Sequence, residues 1–284
     1  MADYIQYVHD RQREGEGGPD EPSEDYEFLR VEPGADRVLR ITMNRPDKLN
    51  AAGEQGHSEQ GRIWKDFEAD PDMNVALITG AGRAFAAGGD IEKGLGPLPV
   101  DIRDGGALVR NMVNCRKPIV SAINGPAVGG GLAVALLADI SIASEKAVLI
   151  DGHSKIGLVA GDHAALVWPL AMGMARAKYH VLMCDRITGK EAEELGLVSL
   201  CVPHEELMEK AEEVARKLAS GPQFALQGSK VALNGWYRDH MSIFEHSLYA
   251  EALSATLPDS VNGKAAVLKG EEAEFEQVDD AYLF

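Results

Sequence analysis

Two glycine-rich segments decide how this chain folds and works: AFAAGGD at residues 84–90 and NGPAVGGG at residues 124–131. Each follows a short apolar run, at residues 75–79 and 118–123, of the kind that forms a strand buried on both faces. Side chains this small cannot carry out chemistry, so the backbone must do it. Two peptide N–H groups aimed at one point form an oxyanion hole, which stabilises an enolate or a tetrahedral oxyanion.

A strand followed by a glycine turn and a helix also occurs in dinucleotide-binding proteins. The GxGxxG fingerprint fails in both segments, because its third glycine position holds Phe85 in the first and Val134 in the second, and no GxxxxGK[ST] loop occurs. Glycines that only permit tight turns or close helix packing remain an alternative for either segment taken alone.

Composition narrows the class of protein. With 284 residues, 45% of them apolar, the chain can bury the core of one large domain. A net charge of −17 disfavours nucleic acid or an anionic membrane as a partner. Three widely spaced cysteines without a CxxC motif predict neither a disulfide framework nor a metal site, and the start of the chain lacks the features of a signal peptide. We therefore expect a cytoplasmic protein.

Three regions are expected along the chain. Residues 1–25 carry eight acidic and two basic residues with several glycines and prolines, and predict a disordered leader. Residues 26–220 alternate strands with helices, and residues 221–284 predict helices only. Within the α/β region, the glycines and prolines of residues 94–113 predict a mobile loop that closes over substrate.

The two glycine segments resemble those of the crotonase superfamily, the enoyl-CoA hydratase and isomerase family. The resemblance extends from about residue 27 to about residue 275, and it includes NRP at 44–46, LNA at 49–51, LITG at 77–80 and the Ala138-Asp139 pair. It implies an α/β fold built as a spiral of ββα units, with a C-terminal helical extension that forms homotrimers or dimers of trimers.

The resemblance also implies a small-molecule acyl-CoA substrate and no separate cofactor, since coenzyme A is part of that substrate. By position, Gly89 and Gly130 would supply the oxyanion-hole N–H groups that bind a thioester carbonyl. The backbone of Ala86, Ala87 and Gly88 would contact the adenine of coenzyme A.

The chain departs from simple hydratases at the positions of their two catalytic glutamates. Two residues beyond the glycine triplet the chain has Ala133, which cannot transfer a proton, and the second position is His153. Here the segment around residues 151–169 resembles the branch that contains 6-oxocamphor hydrolase, a retro-Claisen enzyme with a His/Asp dyad. His153 would be the base and Asp162 its orienting carboxylate.

Two further residues, His57 and Glu251, match active-site positions of that branch, although each could equally be a surface residue. Asp162 could instead cap the following helix. His163 lies next to Asp162, but no metal triad is evident in the sequence.

Three functions follow as hypotheses. The first is an acyl-CoA enzyme of hydratase or isomerase type in which the dyad replaces the glutamates. The second is a hydrolase that breaks a C–C bond in a β-diketone or cyclic β-oxoacyl-CoA, and the third is a non-catalytic protein that binds acyl-CoA.

Overall fold

The computed structural model describes residues 26–92 and 98–275, with the backbone alone for residues 98–101. The predicted leader, residues 1–25, lies outside this range. The strands are β1 (Leu29–Pro33), β2 (Val38–Met43), β3 (Val75–Gly80), β4 (Ile119–Ile123), β5 (Ala127–Val128), β6 (Ile140–Ser144), β7 (Val148–Ile150), β8 (Ile187–Thr188) and β9 (Leu200–Val202). The helices are α1 (Glu54–Ala69), α2 (Leu98–Asn114), α3 (Gly130–Leu136), α4 (Ala164–Met172), α5 (Met174–Met183), α6 (Gly189–Leu195), α7 (Leu207–Ala219), α8 (Gln223–Leu233), α9 (Gly235–Asp239), α10 (Met241–Ser254) and α11 (Pro258–Lys269).

The strands form two sheets. The larger has the order β1-β2-β3-β4-β6-β9, in which β1 is antiparallel to β2 and every other neighbouring pair is parallel. The smaller has the order β5-β7-β8. Parallel neighbours need crossover connections, which the helices supply. The α/β class expected from the sequence is confirmed, and after β9 the described chain is helical.

The central strands of the larger sheet are buried on both faces, as their apolar runs predict. On one face Ile78 and Ile123 join the core formed with α1, α2 and α3. On the other face Leu77 and Val120 pack with the apolar residues of α7, which are Leu207, Ala211, Ala215 and Ala219. Successive residues of each strand therefore serve two cores, which excludes water from the whole strand.

The prediction of a mobile loop over residues 94–113 is wrong for its larger part. Residues 98–114 form α2, which buries Val109 and Met112 against α1, and only residues 94–97 lie outside the described chain. At Gly61 of α1 an added Cβ would lie 3.2 Å from the backbone oxygen of Asp104, so the two helices pack closely. Packing of α2 against α1 thus outweighs the loss of helix stability caused by the two glycines inside α2, which is about 1 kcal/mol for each glycine relative to alanine.

The first strand, β1, was not among the strands identified from the sequence. The buried carboxylate of Glu59 on α1 accepts hydrogen bonds from the backbone N–H groups of residues 27, 28 and 29, at 2.9–3.0 Å. This anchor lies 30–32 residues away along the chain, so no local pattern reveals it. Across the described residues, no helix is long and apolar enough to cross a bilayer.

Candidate active site

The two glycine segments lie side by side in the fold. Ala86 and Ala127 form a parallel bridge, and the Val128 N–H donates to the Ala86 carbonyl at 2.9 Å. A Cβ on Gly131 would lie 2.6 Å from that carbonyl oxygen, and one on Gly88 would lie 2.9 Å from the carbonyl oxygen of Val128. Glycine at these two positions therefore allows the backbones to approach each other.

The N–H groups of Gly89 and Gly130 are available to a ligand. Gly89 lies opposite Ala52 in a parallel bridge. In this bridge the Ala52 N–H donates to the Gly88 carbonyl and the Asp90 N–H donates to the Ala52 carbonyl, so the N–H of Gly89 points away from the bridge. Gly130 begins α3, where N–H groups have no acceptor within the helix. Within residues 26–92 and 98–275, neither N–H group donates to the protein. Their role as an oxyanion hole stays a prediction.

His153 follows β7 and is buried among three carboxylates. Its Nδ1 lies 2.9 Å from Asp151 Oδ1, which also accepts the backbone N–H of His153 at 3.3 Å. Its Nε2 lies 3.5 Å from Asp162 Oδ2 and 3.5 Å from Glu251 Oε1. The structure places Asp151 at Nδ1, because a tight turn brings it there, and Asp162 at the other nitrogen. The predicted roles of His153 and Asp162 are not tested by these positions.

Glu251 reaches this cluster because α10 docks onto the chain at Gly161. A Cβ on Gly161 would lie 2.5 Å from Glu251 Cβ and from the Ser247 carbonyl oxygen, and the Ser247 hydroxyl donates to the Gly161 carbonyl at 3.1 Å. This approach places a carboxylate from the C-terminal helices beside His153. The sequence match at Glu251 thus falls at the site and not on a distant surface.

Asp162 is held from behind by His163 and Trp168. The Trp168 Nε1–H donates to His163 Nε2 at 3.1 Å, and His163 Nδ1 lies 2.6 Å from Asp162 Oδ1. Asp162 does not cap α4, because the N-cap residue of α4 is His163 and the cap has no side-chain hydrogen bond. The helix-cap interpretation of Asp162 is therefore excluded.

His57 extends from α1 toward the glycine triplet. Its Nε2 lies 3.9 Å from the position that a Cβ on Gly130 would occupy, and Asp162 Oδ2 lies 3.6 Å from the same point. From Gly129, the corresponding distance to His153 Nε2 is 3.7 Å. The structure therefore brings both predicted histidines and Asp162 to one place beside the triplet.

Electrostatics define the resting state of the cluster. Burial disfavours the imidazolium form of His153, but the charges of Asp162, Asp151 and Glu251 outweigh it and raise the pKa of His153 well above its usual value. Burial also disfavours the Asp162 carboxylate, yet the His153 charge and the hydrogen bond from His163 hold the pKa of Asp162 well below its usual value. This direction favours the imidazolium form of His153, which is the form of a proton donor rather than of a base. The catalytic role of His153 stays a prediction.

Ala133, at the position of the first missing glutamate, is fully buried within the core around α3. No proton-transfer group therefore reaches the site from that position. The ionisable groups around His153 lie instead on the segment after β7 and on α10.

Three of the described residues, Asp151, Asp162 and His163, place possible metal-ligand atoms within 4.8 Å of one another. Both ring nitrogens of His163 are already hydrogen-bonded, and the His153 imidazolium compensates the carboxylate charge. A metal ion would have to break these contacts, so the donor set does not fit one.

The loop of Gly89 is anchored by an ion pair between half-buried Arg45 and buried Asp90. Arg45 Nη1 donates to Asp90 Oδ2 at 2.7 Å and to the Ala51 carbonyl at 3.1 Å. In the same loop the N–H of Ala87 donates to the Leu49 carbonyl at 2.9 Å. The backbone expected to contact adenine is thus part of a loop that these hydrogen bonds hold in place, and the adenine contact stays a prediction.

Sequence reasoning missed two residues of the site, Asp151 and Trp168, and it missed the hydrogen bonds of His163. The spacing of Asp151, two residues before His153 at the end of a predicted strand, was an available signal, since aspartate commonly accepts the N–H two residues on. The contact of His163 with Trp168 had no signal, because a spacing of five residues does not by itself place two side chains together.

The parallel sheet and the paired glycine loops define a protein of the crotonase superfamily, as the resemblance predicted. The chain belongs to the enoyl-CoA hydratase/isomerase family, whose family model matches residues 34–267.

Relatives in sequence and structure agree with this assignment. A protein of Dictyostelium discoideum named as a probable mitochondrial enoyl-CoA hydratase is 38% identical over 203 residues, which cover 71% of this chain and 73% of the relative. An enoyl-CoA hydratase/isomerase from Mycobacterium paratuberculosis superimposes with a TM-score of 0.80 at 35% identity, over 87% of this chain and 99% of its own. A beta-diketone hydrolase from the cyanobacterium Anabaena sp. PCC 7120, bound to (S)-3-oxocyclohexyl acetic acid, has a TM-score of 0.74 at 30% identity, over 81% and 95%.

Proposed function

We propose that this protein acts on an acyl-CoA thioester and stabilises its enolate through the N–H groups of Gly89 and Gly130. The observation that carries the proposal is the contact between the glycine triplet and the ionisable cluster, where Asp162 Oδ2 lies 3.6 Å from the Cβ position of Gly130. A thioester oxygen bound at the two N–H groups would place Cα and Cβ next to groups that donate and accept protons.

For an enoyl thioester, the cluster can perform the work of the two missing glutamates. A carboxylate, Asp162 or Glu251, accepts a proton from water as the water oxygen bonds to Cβ, and the C=C electrons move to the thioester oxygen as an enolate. The His153 imidazolium then donates its proton to Cα. Return of the proton from the carboxylate to His153 Nε2, 3.5 Å away, restores the resting site.

The test is to incubate the purified protein separately with crotonyl-CoA and with a cyclic β-oxoacyl-CoA, and to separate the products by liquid chromatography and mass spectrometry. His153→Ala should lower kcat by about 10²–10⁴-fold, the usual contribution of a general acid or base. His204→Ala is a matched control, because that ring bonds Ser144 Oγ on β6 and is not part of the cluster. Rapid crotonyl-CoA hydration that His153→Ala leaves unchanged would contradict the proposed chemistry.

Hydrolysis of a C–C bond is a second candidate, favoured by Ala133 and by the similarity to a beta-diketone hydrolase. Water would attack the ketone carbon of a β-oxoacyl-CoA while a carboxylate takes its proton. The C–C bond then breaks, and its electrons form the thioester enolate at Gly89 and Gly130. Protonation by His153 completes the step: an acyclic substrate yields a carboxylic acid and a shortened thioester, and a cyclic substrate yields a ring-opened thioester that carries the new carboxylate. Chromatography distinguishes the ring-opened thioester by its added negative charge.

A third outcome would identify a non-catalytic acyl-CoA-binding protein: thioesters bind, none is converted, and His153→Ala leaves binding unchanged. Three further expectations from the resemblance are proposals of the same standing. These are adenine contact by the backbone of residues 86–88, a homotrimer or dimer of trimers, and a cytoplasmic location.

A further inference from the structure

A buried chain of hydrogen bonds runs from Trp168 through His163 to Asp162. An indole nitrogen can only donate, so the 3.1 Å contact from Trp168 Nε1 requires His163 Nε2 to accept. The proton of His163 therefore resides on Nδ1, which donates to Asp162 Oδ1 at 2.6 Å. The tautomer of His163 follows from the chemistry of its partner.

Trp168 and His163, the first two members of this hydrogen-bond chain, are fully buried. Trp168 is 0% exposed and His163 is 1% exposed, and their rings meet edge to face at 6.1 Å between centroids. His163 is the N-cap of α4 and Trp168 lies in its second turn, so the helix sets their spacing. The contact cannot reorganise without moving α4.

The hydrogen-bond chain leaves the two carboxylate oxygens of Asp162 with different partners. Oδ1 is engaged by His163, whereas no protein group in the described ranges donates a hydrogen bond to Oδ2. Oδ2 is the atom that lies 3.5 Å from His153 Nε2 and beside Gly130. A carboxylate fixed in this way presents one oxygen to water or substrate and cannot rotate away from it.

We propose that Trp168 and His163 are positioning residues that hold Asp162 with Oδ2 directed at the reacting atoms. The kinetic consequence rests on the proposed function, but the structural claim does not. Groups facing Asp162 from its neighbouring elements are His57 on α1, His153 and Asp151 after β7, and Glu251 on α10.

The test replaces Trp168 by Phe, which keeps a buried ring and removes only the donor. Trp64→Phe is the matched control, since Trp64 is 1% exposed and its indole N–H has no acceptor within the described residues. In protein labelled with ¹⁵N-histidine, His163 of the wild type should show a single tautomer protonated at Nδ1. In Trp168→Phe the Asp162 carboxylate still holds the proton on Nδ1, but the Nε2 resonance of His163 should shift because it loses its donor. Trp64→Phe should leave both His163 resonances unchanged.

Turnover gives a second readout on whichever thioester is converted. Trp168→Phe should lower kcat about tenfold with KM unchanged, as for loss of one hydrogen bond. In His163→Asn the asparagine amide can donate to Asp162 without help from Trp168. Adding Trp168→Phe to this variant should therefore lower kcat no further.

The outcomes separate the two proposals. An Nε2 resonance of His163 that does not respond to Trp168→Phe would overturn the positioning role, whatever the activity. The expected shift in a protein that converts no thioester would support the positioning of Asp162 and refute the proposed function instead.

Discussion

Substitution of adjacent glycines in the triplet should separate catalysis from folding. Among the described residues outside its own helix, a Cβ on Gly130 would meet Asp162 Oδ2 at 3.6 Å and His57 Nε2 at 3.9 Å, which are ordinary contacts. Gly130→Ala should therefore keep the fold, with a change in the free energy of unfolding within about 0.5 kcal/mol. Its methyl group would occupy the space between the N–H groups and the cluster, and kcat should fall about 10²–10³-fold, as when an oxyanion donor is lost.

Gly131→Ala provides the contrast. Its Cβ would lie 2.6 Å from the Ala86 carbonyl oxygen and 2.7 Å from Ala86 Cβ, both buried, so the two glycine segments must separate. Overpacking of this kind costs about 1–3 kcal/mol, which corresponds to a fall in Tm of about 2–12 °C.

Thermal unfolding and steady-state kinetics of the two variants measure both effects. The placement of Gly130 beside the reacting atoms would be refuted if the Tm of Gly130→Ala is as low as that of Gly131→Ala. It would also be refuted if Gly130→Ala keeps the full kcat.

Two other predictions concern charge. The pKa of Asp162 in the folded protein lies below its unfolded value of about 3.9, so the stability that Asp162 contributes is lost as the pH falls. The pKa of His153 in the folded protein lies above its unfolded value of about 6.5, so the stability that His153 contributes is lost as the pH rises through the folded pKa. Urea unfolding should show the full contribution of the pair between about pH 4 and pH 6.5, and His153→Gln should flatten the alkaline decline; an unchanged decline would contradict the raised pKa. Arg45→Met, which removes the ion pair and hydrogen bond to buried Asp90, should cost about 1–3 kcal/mol of unfolding free energy. Lys48→Met, which removes an exposed ion pair nearby, should not change stability, and equal losses in the two variants would refute the anchoring role of Arg45.

Much of the fold could be predicted from local pattern. The apolar runs before the two glycine segments became β3 and β4, because burial on both faces requires an unbroken run of apolar residues whatever lies around it. The loop predicted over residues 94–113 is wrong for residues 98–113, because Gly105 and Gly106 weaken a helix locally while contact with α1 stabilises it. The start of β1 is also bonded to Glu59, and a carboxylate on a distant helix leaves no trace in the strand itself.

The sequence by itself determined that two glycine-rich segments each follow a buried strand, and that Ala133 and His153 stand where the resemblance places two catalytic glutamates. The first inference depends on residue size and local pattern, and the second depends on the resemblance to the family. Only the tertiary structure decided that Asp151 binds Nδ1 of His153, and that Glu251 lies at Nε2. Hydrogen bonds act over about 3 Å, so the docking of α10 at Gly161 decides which carboxylates reach the imidazole.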